Sequence, residues 1–254
     1  MQEYDKELYN NDFYEKNLKS SSQSAVALAD MISKILAPSS IADVGCSSGA
    51  MLKQFKDKMH VSKILGIDGP WIKKEMLQIP FNDFLVHDLT KPLKLDLKFD
   101  LVVSLEVGEH LDQKYVDTFV TNLVSLGDVI LFSAAIPKQG GRHHVNEQWP
   151  DYWAKLFKSK GFVAIDCARP YLWDKDLAFY YAQNSIFYCR ESSLKNYPKL
   201  YKFYDDTNIY PRRLVHPMLY EIKTDPTKTT LSFILKSIKY LPYRFIRKVK
   251  THKT

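Results

Sequence analysis

Apolar positions recur at helical intervals in SQSAVALADMISKIL, residues 22–36, and the pattern stops at Pro38, which predicts a helix leading into the body of the chain. Beyond it the pattern changes to short apolar runs. These predict strands at Ile41–Gly45, Ile64–Asp68, Phe84–Leu89, Phe99–Glu106, Val129–Ala134, Phe162–Cys167 and Ile186–Cys189, with helices near 49–59, 112–125 and 148–159. Runs apolar almost throughout are strands buried on both faces, so the expected fold class is α/β, with seven mostly parallel strands covered by helices on either side. Ligands of such sheets bind beyond the carboxyl ends of the strands, near the point where the strand order reverses.

Composition narrows the class further. A chain of 254 residues with 45% hydrophobic and 26% charged positions has material for a full core. Cys46, Cys167 and Cys189 form no CxxC pair, which argues against a disulfide framework or a structural zinc site and for a reducing compartment. The amino end, MQEYDKELYNNDFYEKN, lacks the basic and apolar segments of a secretory leader, and no run approaches the roughly 18 apolar residues of a spanning helix. The expectation is a soluble, cytoplasmic protein.

Charge is unevenly placed. Residues 191–254 hold 14 Lys/Arg against 5 Asp/Glu, whereas residues 1–190 hold 22 against 24. The reading is a domain over 1–190, then an irregular connection and a basic tail over 191–254. Within 231–254, apolar residues at helical spacing alternate with Lys236, Lys239, Arg244, Arg247 and Lys248. That pattern suits an amphipathic helix on the cytoplasmic face of an anionic membrane, or one docked on the protein's own body. Nucleic acid ranks below both, because the body is not basic.

Three consecutive strand ends carry candidate chemistry. The first opens Asp43-Val44-Gly45-Cys46-Ser47-Ser48-Gly49, whose glycines allow close backbone approach and whose helix start offers N–H groups to a carboxylate. It lacks the third glycine of a dinucleotide fingerprint and the GK[ST] of a phosphate loop. The second ends in Asp68, able to accept both hydroxyls of a ribose. The third ends in Asp88-Leu89, an acceptor for an adenine amino group beside an apolar contact for the ring.

In this order IADVGCSSG, LGIDG, VHDL and FDLVVSLEVGEHL resemble the class I S-adenosylmethionine-dependent methyltransferases over about residues 22–190. The resemblance implies a Rossmann-like fold with S-adenosylmethionine as cofactor. It also implies that Asp43, Gly45, Cys46, Ser47 and Gly49 cradle the methionine end, Asp68 takes the ribose, and Asp88 and Leu89 take the adenine. Ser104, Leu105 and Glu106 would line the floor.

On the acceptor side, Glu106, Glu109 and His110 share one face if the chain turns helical after the fourth strand. Gly140-Gly141-Arg142-His143-His144 follows the fifth strand, and neighbouring strands would let this loop close over the first. Glu-x-x-Glu-His with a later histidine resembles the metal site of the small-RNA 3′-terminal 2′-O-methyltransferases. That resemblance implies Glu106, Glu109, His110 and His144 as ligands of a divalent ion, with His143 the alternative, and Mg²⁺, Mn²⁺ or Fe²⁺ as the ion. Without metal, His144 is the candidate general base. The stretch LFSAAIPKQGGRHHVNEQWPDYWAKLFKSKGF is similar to a family of class I methyltransferases encoded with surface-polysaccharide enzymes in bacteria and large viruses. It implies O-methylation of a sugar in a glycan or glycolipid acceptor. The competing functions are an RNA ribose 2′-O-methyltransferase and a non-catalytic, membrane-recruited cofactor binder. Sugar, hydroxyl position and oligomeric state are not legible.

Overall fold

The computed structural model describes residues 11–205 and 210–225, with side chains from residue 23 onward. The basic tail over 231–254 lies outside the described residues. The chain forms two compact units, up to Leu214 and from Val215.

The first unit is built on one seven-stranded sheet in the order β3-β2-β1-β4-β5-β7-β6. Its strands are β1 (Ser40–Val44), β2 (Lys63–Asp68), β3 (Phe84–Val86), β4 (Leu101–Leu105), β5 (Val129–Ser133), β6 (Phe162–Ile165) and β7 (Ile186–Arg190). All neighbours run parallel except β7, which is antiparallel to β5 and β6. All seven predicted strands are present. Helices α1 (Asn11–Ile35), α2 (Ala50–Met59), α3 (Val116–Leu126) and α4 (Pro150–Ser159) precede, separate or follow them.

Alternation along the strands explains the three layers. Ile41, Leu101, Val103 and Val129 face one side, where Leu28 and Ile32 of α1 and Leu52 and Phe55 of α2 cover them. Ala42, Val44, Val102 and Ile130 face the other, under Phe119 and Leu123 of α3 and Trp153 and Phe157 of α4. Both faces being dry, neither strand register can slip without driving apolar side chains into the wrong layer. β1 lies between β2 and β4, so strand order reverses beside it. A cleft is expected there.

Several boundaries differ from the sequence reading. The lead-in helix starts at Asn11, through a polar segment that hydrophobic spacing does not mark. β3 stops at Val86 rather than Leu89, because the chain leaves the sheet after a last parallel bond from His87 N–H to Asp68 O. Residues 191–205 and 210–214, expected as an irregular connection, group with the first compact unit. A 3₁₀ segment (Glu191–Asn196) and α7 (Pro198–Tyr201) follow β7, after α5 (Ala168–Leu172) and α6 (Phe179–Asn184) have crossed from β6. Ser193 Oγ donates to Asp128, Lys199 Nζ to Lys34 O, and Arg213 forms a two-point pair with Asp151. Arg169, almost fully buried, ties the same region down through Asp166 and Arg212 O. In the second unit, α8 (Pro217–Thr224) begins at His216, whose Nδ1 accepts from Met218 N–H.

Candidate active site

The ends of β1, β2 and β4 open into a cleft of about 890 Å³. On the β1 side the chain turns at Gly45 (φ 84°), Ser47 (φ 52°) and Gly49 (φ 75°) before α2 begins. A Cβ on Gly45 would lie 2.4 Å from Val107, and one on Gly49 would lie 2.8 Å from Ile79, so both positions require glycine for space as well as conformation. Gly45, Cys46 and Ser47 line the cleft. Gly49 does not line it, and shapes the turn from behind.

Asp68 caps this turn. Its two carboxylate oxygens accept from Ser47 N–H and Gly69 N–H, each at 2.6 Å. Burial pushes its pKa up to about 6 against the pull of those two N–H groups. Asp43 is pushed further, to about 7, by burial and then by the neighbouring Asp68 charge. Both line the cleft, with Asp88 and Leu89 at the end of β3. Asp88 accepts from the N–H and hydroxyl of Thr90, which fixes its side chain at the mouth.

Ser104 stands differently from the expectation. It is fully buried beneath the cleft, and its hydroxyl donates to Val44 O, tying β4 to β1. Leu105 and Glu106 do line the cleft.

After β4 the chain does not continue as an α-helix. Glu106 takes a left-handed conformation (φ 56°), its N–H donating to Ser133, and only Gly108–His110 forms a 3₁₀ turn. The expected common face of Glu106, Glu109 and His110 is therefore split. Glu106 accepts at its two oxygens from Gln139 Nε2 and Asn184 Nδ2, both at 2.9 Å, and Gln183 extends this amide network. Glu109, His110 and His144 instead bring one ligand atom each within 4.8 Å of one another.

The loop after β5 supplies His144. Val145 and Asn146 N–H both donate to the backbone carbonyl of Glu109, so the two loops are locked together. His144 packs edge-on against His110 with 4.9 Å between ring centres, and its Nε2 lies 3.9 Å from Glu109 Oε1. The Glu109 carboxylate is wholly buried, and neither oxygen makes a well-formed hydrogen bond among the described residues, although the Glu106 carboxyl and the Ala135 backbone lie beside it. Nor does His110 Nδ1. Burial, then the nearby Glu106 charge, holds the Glu109 carboxyl well above the usual range, and burial lowers His110 to about 4. Buried polar atoms without partners are costly, and a cation is the partner this donor set fits. His143 is exposed on the cleft wall and outside the three-donor cluster.

Sequence reasoning missed Trp71, Tyr115, Tyr180 and Tyr181, which add aromatic surface to the cleft. Trp153, four residues after Trp149, is core, as its helical spacing suggests, 5.0 Å from the Phe132 ring centre. No periodic signal marks the aromatics of the cleft. Gln139, Gln183 and Asn184 carry no motif at all.

The structure is similar to human N-acetylserotonin methyltransferase in complex with SAM, with a TM-score of 0.54 and 17% identity over 70% of this chain and 55% of that one. The chain has the Rossmann-like methyltransferase fold. A putative O-methyltransferase from Nostoc punctiforme matches with a TM-score of 0.54 at 13% identity, covering 70% of this chain and 58% of its own. The plantazolicin methyltransferase BpumL in complex with SAH matches at 0.50 and 12% identity, covering 70% and 88%. The chain spans little more than half the length of the first two. No family model and no curated protein matches the sequence. In this methyltransferase fold, the described residues include no helix long and apolar enough to cross a membrane.

Proposed function

We propose that this chain transfers a methyl group from S-adenosylmethionine to a sugar hydroxyl, with a divalent ion held by Glu109, His110 and His144. The observation that carries this reading is the buried Glu109 carboxylate, which makes no well-formed hydrogen bond among the described residues and faces two imidazoles on the wall of the cleft that the strand-end carboxylates share. Asp43, Gly45, Cys46 and Ser47 would hold the methionine end, Asp68 the ribose, and Asp88 and Leu89 the adenine. S-adenosylmethionine supplies the methyl, which passes to the acceptor oxygen by in-line displacement. A divalent ion held by Glu109, His110 and His144 would lower the pKa of the hydroxyl and orient it, chemistry that a weakly acidic alcohol needs and an amine does not.

The protein's own groups do the rest. Gln139 and Asn184 hold Glu106 against Glu109, outside the three-donor set, so Glu106 is proposed as a support rather than a ligand. His143, on the cleft wall, is the imidazole left to accept the proton, a role generally worth about 10²- to 10⁴-fold. Tyr115, Tyr180 and Tyr181 offer faces for sugar C–H groups. The surface-glycan acceptor rests on the resemblance carried by residues 131–162.

The test is turnover. Protein with S-adenosylmethionine, Mn²⁺ and a panel of glycan and glycolipid acceptors is expected to yield S-adenosylhomocysteine, and EDTA or Glu109→Ala to stop it while cofactor affinity stays within about twofold. Full turnover in EDTA would remove the ion from the reading. Methylation of RNA ends but of no glycan would replace the sugar acceptor.

A further inference from the structure

Glu147 belongs to none of the cofactor or metal motifs, yet it organises the loop that carries His144. Three residues of that loop, Lys138 (φ 72°), Gly140 (φ 73°) and His143 (φ 58°), take left-handed conformations, so the backbone coils tightly. The Glu147 carboxylate sits inside the coil. Oε2 accepts from Lys138 N–H at 2.7 Å, and Oε1 accepts from Gly140 N–H at 2.6 Å. Oε1 also lies 3.0 Å from His144 Nδ1.

A carboxylate oxygen only accepts, so the ring atom facing it must carry the proton. In the neutral imidazole that leaves Nε2 bearing the lone pair, and Nε2 is the nitrogen turned toward Glu109. Gly141 leaves room for the ring: a Cβ there would lie 2.2 Å from His144 Nε2, so a larger residue at this position would displace the imidazole. With 11% of the His144 side chain and 19% of the Glu147 side chain exposed, water competes little for the bond.

We propose that Glu147 is a positioning residue that fixes the His144 tautomer and orientation, presenting Nε2 to Glu109, and thereby sets the affinity of the site for a divalent ion. The affinity half rests on the reading given under Proposed function; the tautomer half does not. Carboxylates behind ligating histidines raise ligand basicity and fix ring orientation, and their loss typically weakens metal binding 10- to 100-fold.

The experiment has two readouts. Nitrogen-15 NMR of metal-free protein at pH 8 reports which His144 nitrogen is protonated, and electron paramagnetic resonance of added Mn²⁺ reports ion affinity. Wild-type protein is expected to show protonated Nδ1 and bare Nε2. Glu147→Met, which removes the acceptor at similar volume, releases the tautomer and weakens Mn²⁺ binding about 10- to 100-fold. Glu147→Gln, which keeps an acceptor but not the charge, falls between the two, and cofactor affinity stays within about twofold throughout. A tautomer shift in Glu147→Met without any Mn²⁺ binding by the wild type supports the positioning role and sinks the ion site. Wild-type protein with Nε2 protonated overturns the proposal even if Glu147→Met does not fold. So does a folded Glu147→Met protein that keeps the wild-type tautomer, whatever its melting temperature.

Discussion

Cofactor binding should release about one proton near pH 6.5, and the source is the carboxylate pair at the ends of β1 and β2. Asp43 is buried against Asp68 and pushed up to about 7, while Asp68 stands at about 6. S-adenosylmethionine carries a sulfonium, an ammonium and two ribose hydroxyls, all of which favour ionised carboxylates over protonated ones. Treated as two independent steps near 6 and 7, the pair holds about 1.4 protons at pH 6, about 1.0 at pH 6.5 and about 0.6 at pH 7. If only the doubly ionised form binds well, affinity rises about 16-fold between pH 6 and pH 7.5 and then flattens. That window lies below the titration of the cofactor's own α-amino group, near 8. Calorimetry at pH 6.5 in buffers of different ionisation enthalpy counts the protons directly. Asp43→Asn should cut the count from about 1 to about 0.2, because it removes the higher step and leaves only Asp68, at about 6. Affinity constant within twofold from pH 6 to 7.5, with no buffer-dependent heat, would refute the reasoning. The same pair sets a sign for stability. Both folded values lie above the unfolded one of about 3.9, so the folded state binds more protons, and the pair's contribution is lost as pH rises from about 4 to about 7. The cofactor-free protein should therefore melt at a lower temperature at pH 7.5 than at pH 5.5 if this pair dominates, and cofactor should narrow the gap.

Glu109→Gln should abolish Mn²⁺ binding yet raise the metal-free melting temperature by a few degrees, since it removes a buried carboxylate with no well-formed hydrogen bond among the described residues; a fall on thermal scanning would count against that environment. Gly49→Ala should cost about 1–3 kcal/mol in urea unfolding, because alanine must adopt φ 75° and press on Ile79, and a neutral result would contradict the turn geometry. Trp153→Ala should cost about 3–5 kcal/mol by opening a cavity against Phe132, with wild-type cofactor affinity at temperatures where the protein stays folded.

The fold was legible because its information is periodic. Each strand had to be apolar on both faces to fit between α1–α2 and α3–α4, and a run such as LVVSL admits little else. Where periodicity is absent the reading failed. The polar start of α1 carries no apolar stripe, and residues 191–205 and 210–214 are held by ion pairs and single hydrogen bonds, such as Arg213–Asp151, between positions far apart in sequence. Spacing cannot report a partner 62 residues away.

The candidate site divides along the same line. The residues proposed for the cofactor sit at strand ends, where the sheet itself dictates direction, and Asp43, Asp68 and Asp88 open onto one cleft as the order β3-β2-β1 requires. Glu106 and Glu109 needed more than order. Three residues apart, they would share a face on an α-helix, but Glu106 must leave β4 in a left-handed turn to reach Gln139 and Asn184. That single conformation gives the Glu106 oxygens to the two amides and leaves the Glu109 carboxylate, beside Glu106, facing the imidazoles. What selects it is a set of amides from two distant segments, so the division of labour is a property of tertiary structure that the motif EVGEH does not encode.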